Sequence, residues 1–155
     1  EGLADDLKAK GADVVLIDGP DLAEQIAAAT ANAPIVLALD PVGGDTYGRL
    51  AESLGYGGTL VTYGVLSGKP ATLNTGQVIF NDTRLRGFWL YKWYQTATMK
   101  DKQEAFGQVI PLIANGTLKA NIDSRFTVDQ IEQAVTRAWE DGRNGKVLII
   151  PSLQD

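Results

Sequence analysis

Short apolar runs alternate with amphipathic stretches along the chain, and one such alternation sets the frame for the rest. The run Ile35–Leu39 (IVLAL) ends at Asp40-Pro41, the pair Gly43-Gly44 opens a helix, and a second run, Thr59–Tyr63, again ends in glycine. Asp45 or Thr46 is placed to cap the intervening helix; Tyr47, Leu50, Ala51 and Leu54 recur on one face, and Gly55 closes it. The pattern predicts a β-α-β unit. Both runs are continuous rather than alternating, which is how strands read when both faces are covered, so the sheet is expected to be parallel with helices on each side. Ligands of such sheets sit beyond the carboxyl ends of the strands, here Asp40 to Gly43 and Tyr63 to Ser67. That requires the two runs to be direct neighbours with their glycine-bearing ends on one rim.

The flanking segments continue the alternation. Ala4 to Lys10 reads as the end of a helix closed by Gly11. Asp13–Ile17 (DVVLI) reads as a buried strand stopped by Asp18-Gly19-Pro20. Asp21 is placed to cap a helix through about Ala31, with Leu22, Ile26 and Ala29 inward. A turn or short helix is expected near Gln77–Phe80, then a strand over Leu85–Leu90. Phe88, Trp89, Tyr91, Trp93 and Tyr94 crowd around that strand, more aromatic surface than one covered face can bury, so a ligand or partner is expected to cover the rest. Thr98–Asn115 has Phe106, Val109, Ile110 and Ile113 at helical spacing, with Pro111 implying one kinked helix or two. Thr127 and Gln130 form a capping box for a last helix whose inward residues are Val128, Ile131, Ala134, Val135 and Trp139. Asn144-Gly145-Lys146 turns into a final strand, Val147–Ile150.

Composition narrows the function classes. A net charge of -5 with no basic run argues against nucleic acid or an anionic membrane as the main partner, and no apolar run approaches a membrane span. With no Cys and no His, disulfides, thiolate or imidazole metal sites and a His-based triad are excluded within these residues. Asp5-Asp6, Glu24 and Glu140-Asp141 read as solvated helix faces. Asp40 has two readings, a partner for a ribose hydroxyl or a cap on the Gly43-Gly44 turn. A start at Glu1, without Met and inside a helical pattern, suggests a piece of a longer protein.

Taken together, VLALDPVGG, LGYGGTLVTYG, RLRGFW and FTVDQIEQAVTRAWEDGRNGKVLII resemble the C-terminal half of the medium-chain dehydrogenase/reductase superfamily over nearly the whole chain. Within it, Tyr63-Gly64-Val65-Leu66 and Leu85-Arg86-Gly87-Phe88-Trp89-Leu90 look like the zinc-independent branch of quinone oxidoreductases and 2-enoyl thioester reductases. The resemblance implies an α/β, Rossmann-type parallel sheet with helices on both faces, lacking the first two strands and the glycine fingerprint, over residues 1–118. Residues 119–155 would pack back on a catalytic domain outside this sequence. It implies NADPH as cofactor and an enoyl thioester or quinone-like enone as substrate, reduced by hydride delivery to the β-carbon and protonation at the α-carbon. Main chain at Tyr63, Gly64, Val65 and Leu66 and at Phe88, Trp89, Leu90 and Tyr91 would flank the nicotinamide, with Lys146 near the cofactor. It further implies a homodimer joined antiparallel through the Leu85–Leu90 strand, and a cytoplasmic location, or a mitochondrial one in a eukaryote.

One departure limits the resemblance. No G-x-G-x-x-G follows a strand; Gly55, Gly57 and Gly58 precede one and cannot cradle a pyrophosphate at a helix N-terminus. The phosphate site and the family's proton-donating Tyr would lie upstream of Glu1. In the strand order 3-2-1-4-5-6, Asp13–Ile17 would be the third strand and Ile35–Leu39 the fourth, separated by a gap where strands one and two belong. The 155 residues alone are therefore expected to be catalytically incompetent. Two rivals stand beside this reading: a zinc alcohol dehydrogenase of the same superfamily with ligands elsewhere, and a non-catalytic nucleotide-binding or dimerisation module.

Overall fold

The computed structural model describes residues 2–140 and 142–151. They form two compact units, divided between Thr96 and Ala97. Helix Met99–Ala114 belongs with the later strands, because its end folds directly into the segment that leads to them: Gly116, at φ +78°, donates to the Ile113 carbonyl and Leu118 to that of Leu112.

The first unit is a three-stranded parallel sheet. Its strands are β1 (Ile35–Asp40), β2 (Leu54–Thr62) and β3 (Arg84–Gly87), in that order across the sheet. Leu39 lies opposite Val61 and Asp40 opposite Thr62, so the two glycine-tipped ends share one rim, as the sequence requires. Helix α3 (Gly44–Glu52) crosses from β1 to β2 and sets Ala51 against Ala38, Leu54 and Leu60, with Tyr47, Leu50 and Leu73 at the margin. Burial of these apolar groups is what holds the β-α-β unit. Helices α1 (Gly2–Ala9) and α2 (Leu22–Ala29) precede β1, and α4 (Thr75–Asn81) precedes β3.

Three local expectations change. Neither Asp45 nor Thr46 caps α3; its N-cap is Gly43 at φ +72° with no side-chain cap, and Asp40 accepts from Val42 and Gly43 in the turn that precedes the helix. β2 begins at Leu54, so Gly55, Gly57 and Gly58 lie inside it, where the register slips between Ile35 and Leu37; Gly57 at φ +72° supplies the irregular turn of backbone. Asp13–Ile17 carries no ladder. A strand exists only through a hydrogen-bonding neighbour, and the element that the parent order puts beside this run is not among the described residues. An apolar slot of about 340 Å³ lies where the gap was expected, lined by Val14 and Leu16 on one side and Leu37 and Leu39 on the other. β1 is an edge strand, and Leu37 and Leu39 are 53% and 58% exposed.

An ion-pair cluster unforeseen in the sequence ties the loop after Ile17 to α3. Asp18 accepts from Arg49 Nε at 2.7 Å and Nη2 at 2.8 Å, and from Thr46 Oγ1 at 2.6 Å. The Arg49 fork, with Thr46, holds the Asp18 carboxyl below its ordinary value despite partial burial. In the second unit, Arg137 grips Asp123 in the same bidentate manner and lowers that carboxyl too. A carboxyl depressed in the folded state stabilises at neutral pH, and that contribution is lost as pH falls through the lowered value. Wild-type stability in urea should therefore drop between about pH 6 and about pH 3 by more than that of an Asp18→Asn, Asp123→Asn double variant. Equal losses would exclude these pairs as acid-labile ties.

The second unit comprises α6 (Met99–Ala114), β4 (Ile122–Thr127), α7 (Ile131–Trp139) and β5 (Lys146–Ile150); α5 (Leu90–Thr96) closes the first. α6 is a single helix despite Pro111, started by a Thr98–Asp101 capping box in which Asp101 N–H donates to Thr98 Oγ1 at 3.1 Å. β4 was not foreseen. It pairs parallel with β5, so β4-α7-β5 is a second crossover unit. Gly145 is forced by contact: a β-carbon there would sit 2.6 Å from Asp123 N. The Thr127–Gln130 box is present, with Thr127 N–H donating to Gln130 Oε1 at 3.0 Å, and a 3₁₀ turn at Val128–Gln130 leads into α7. Of the five residues expected inward on that helix, only Ala134 is buried; Val128, Ile131, Val135 and Trp139 are largely exposed, because β4 and β5 offer only a two-stranded surface to pack on. Among the described residues, no helix is long and apolar enough to cross a membrane.

Candidate cofactor-facing cleft

The carboxyl ends of β1, β2 and β3 converge on a rim organised by one buried carboxylate. Asp40, fully buried, accepts from Val42 N–H at 2.8 Å, from Gly43 N–H at 2.9 Å and from Thr62 Oγ1 at 3.1 Å. Of its two sequence readings, the cap on the glycine turn is the one the structure contains. The strand ends are then laced together: Tyr63 N–H donates to the Asp40 carbonyl, Leu66 to Pro41, Ser67 to Val42, and Phe88 to Thr62. Gly64 lies flat on Pro41; a β-carbon would fall on the Pro41 carbonyl oxygen and come within 3.0 Å of its carbon. Glycine at 64 is thus a requirement of close approach, not of unusual φ.

Beside this rim opens a cleft of about 630 Å³. Tyr63, Gly64 and Val65 form one side, and Phe88, Trp89 and Trp93 the other, with Arg86, Gly87, Lys92 and Thr96 completing it. Its surface is mainly apolar, with a few polar groups at the edges, the usual make-up of a small-molecule site. Among the described residues, the main-chain N–H groups of Gly64, Val65 and Trp89 donate to no protein acceptor. Gly87 faces open space: a β-carbon there would meet nothing within 4 Å.

Five of the residues singled out from sequence, Tyr63, Gly64, Val65, Phe88 and Trp89, come together here. Leu66, Leu90 and Tyr91 lie beside the cleft without lining it, and Lys146 belongs to the second unit, exposed at the first position of β5. The strand expected over Leu85–Leu90 stops at Gly87. β2 ends at Thr62, because Tyr63 and Gly64 turn away to meet Pro41; the Phe88 N–H to Thr62 bond is the last that β2 can accept, and the chain beyond it becomes helix α5. The aromatic residues from Tyr91 onward are therefore helical, with Trp89 and Tyr91 rings 5.2 Å apart. Lys92, Trp93 and Thr96 were missed as cleft residues. The signal was present, since 89, 92, 93 and 96 fall at i, i+3, i+4 and i+7, one face of a helix.

A family model described as a zinc-binding dehydrogenase matches residues 10–149. The chain belongs to that family. It lies within the medium-chain dehydrogenase/reductase superfamily, and its parallel sheet and flanking helices are the Rossmann-type part of that fold. The mouse mitochondrial enoyl-[acyl-carrier-protein] reductase is 34% identical over 148 residues, which is 95% of this chain and 40% of that protein. Its Dictyostelium discoideum counterpart is 35% identical over 113 residues, 73% of this chain and 32% of that one. Among solved structures, a Bacillus thuringiensis protein assigned as an NADPH:quinone reductase superposes with a TM-score of 0.69 at 27% identity, over 81% of this chain and 38% of the other. This zinc-binding dehydrogenase segment thus spans between about a third and two fifths of the relatives it matches. Its residues do not fit the metal of the family's description: they include no Cys or His, and the described residues contain no cluster of carboxylates able to hold an ion.

Proposed function

We propose that this segment is the nicotinamide-facing part of an NADPH-dependent reductase acting on a carbon–carbon double bond conjugated to a carbonyl, in an enoyl thioester or a quinone-like enone. The observation that carries this is the cleft at the carboxyl rim, where glycine-tipped strand ends present main-chain donors that have no protein acceptor. A nicotinamide carboxamide is planar and has both donor and acceptor. Main chain at Gly64, Val65, Phe88 and Trp89 can hold it in one orientation, and so choose which ring face meets the substrate. Trp89 and Trp93 wall the cleft and keep water from the reacting face. When bound, the cofactor would supply the hydride. Leu66, Leu90, Tyr91 and Lys146 are proposed as outer contacts, and the enoyl reductase names of the relatives favour a thioester substrate. The mitochondrial relatives make the mitochondrion a candidate location.

No glycine fingerprint occurs among the 155 residues, so no glycine loop here cradles the pyrophosphate at a helix N-terminus, and this chain alone should not bind NADPH with micromolar affinity. In the enzyme that contains it, Gly87→Val tests the assignment, because Gly87 lines the cleft and a β-carbon there meets no neighbour within 4 Å. The variant should melt within about 2 °C of wild type yet bind NADPH about tenfold more weakly by fluorescence titration. Unchanged NADPH affinity would remove the cleft from cofactor binding.

The outermost strand β3 is exposed along its length and offers unpaired main-chain groups, so antiparallel pairing with its copy is proposed as a dimer contact. Light scattering at micromolar concentration should give twice the chain mass; a monomer would exclude that contact.

A further inference from the structure

Two cations reach the cleft without a counter-charge. Arg86, on β3 opposite Val61, and Lys92, on the Trp89-Trp93-Thr96 face of α5, both line it, and no Asp or Glu does. Among the described residues neither makes an ion pair, whereas Arg49 and Arg84, the other arginines of the unit, hold Asp18 and Asp82. The chain is acidic overall, with net charge -5, so a local excess of positive charge in its main cleft is not a property of the surface at large. The aromatic wall lowers the local dielectric and strengthens any ionic contact made against it.

We propose that Arg86 and Lys92 form a phosphate subsite at the exposed margin of the cleft, taking a phosphate ester on the ligand whose reactive end lies among Tyr63, Gly64, Phe88 and Trp89. The guanidinium offers a planar fork and the ammonium a point charge, and the oxygens of one phosphate can accept from both. This rests on the reading of the cleft given under Proposed function, where two ligands carry such a group: an acyl thioester on a phosphorylated pantetheine arm, and the nicotinamide nucleotide itself.

The test monitors Trp fluorescence of the enzyme that contains this segment while adding pantetheine 4′-phosphate or pantetheine, and nicotinamide mononucleotide or nicotinamide riboside. In one pair at least, the phosphorylated compound should bind about tenfold more tightly than its partner. That preference should vanish in Arg86→Ala, Lys92→Ala and persist in part in Arg86→Lys. Both side chains are exposed, and circular dichroism checks that the variants stay folded. The pair that shows the preference identifies the source of the phosphate. A preference confined to the pantetheine pair, with no nicotinamide compound bound, upholds the subsite and refutes the cofactor reading. Equal binding within both pairs refutes the subsite alone, and no binding of any of the four refutes both.

Discussion

Gly64→Ala should cost about 3 kcal/mol of stability, a large effect for one methyl group. The added carbon would land on the Pro41 carbonyl, and Pro41 cannot withdraw. Its carbonyl accepts from Leu66, its neighbour Asp40 is pinned by Val42, Gly43 and Thr62, and its own ring fixes φ. The clash is with main chain on both sides, so no side-chain rotamer relieves it. Relief requires that the β1 and β2 ends separate, which would also open the Tyr63–Val65 side of the cleft. Urea denaturation reads the loss directly. A variant as stable as wild type would mean that the two strand ends are not in contact, and that they form no common rim.

Asp40→Ala is expected to destabilise by a similar amount, about 3 kcal/mol, for a different reason. The carboxylate serves two main-chain donors and one hydroxyl, and truncation removes the acceptor of all three, leaving the buried Gly43 N–H without one. Asp40→Asn retains one acceptor oxygen and the shape, and should lose about 1 kcal/mol. The ordering Ala below Asn below wild type, measured by the same denaturation, separates loss of hydrogen bonds from loss of packing. If both variants match wild type, Asp40 does not organise the turn. On the proposed reading of the cleft, either substitution should weaken cofactor binding along with stability in the enzyme containing this segment, since Asp40 holds the Gly43 turn and the Tyr63 end at once.

How much was legible can be judged from particular residues. Ile35–Leu39 and Thr59–Tyr63 announced a β-α-β unit because continuous apolar runs ended by glycine have few other uses. The shared rim came from that unit alone. The capping box at Thr127 was readable because it involves residues three apart in one turn, whereas the Thr98–Asp101 box, of the same spacing, was missed. β4, by contrast, is the polar sequence IDSRFT, which becomes a strand only because β5 lies beside it. The aromatic segment was misread for the complementary reason: its strand-like composition had no ladder left to join past Gly87, since β2 turns off at Thr62. The helical spacing of Trp89, Lys92, Trp93 and Thr96 was in plain view, but aromatic content outweighed it.

The order of letters alone thus determined the local elements, the parallel β1-β2 pair, the absence of thiol and imidazole chemistry, and membership in a dehydrogenase superfamily, since each depends on residues a few positions apart or on motifs carried whole. Only the tertiary structure decided that Asp40 is a cap, that Gly64 is there to let Pro41 approach, that Asp18 clasps Arg49, and that Arg86 and Lys92 meet the aromatic wall in one cleft. Those are contacts between segments brought together by the sheet, and what a carboxylate or a glycine does there is set by the atom that folding places against it.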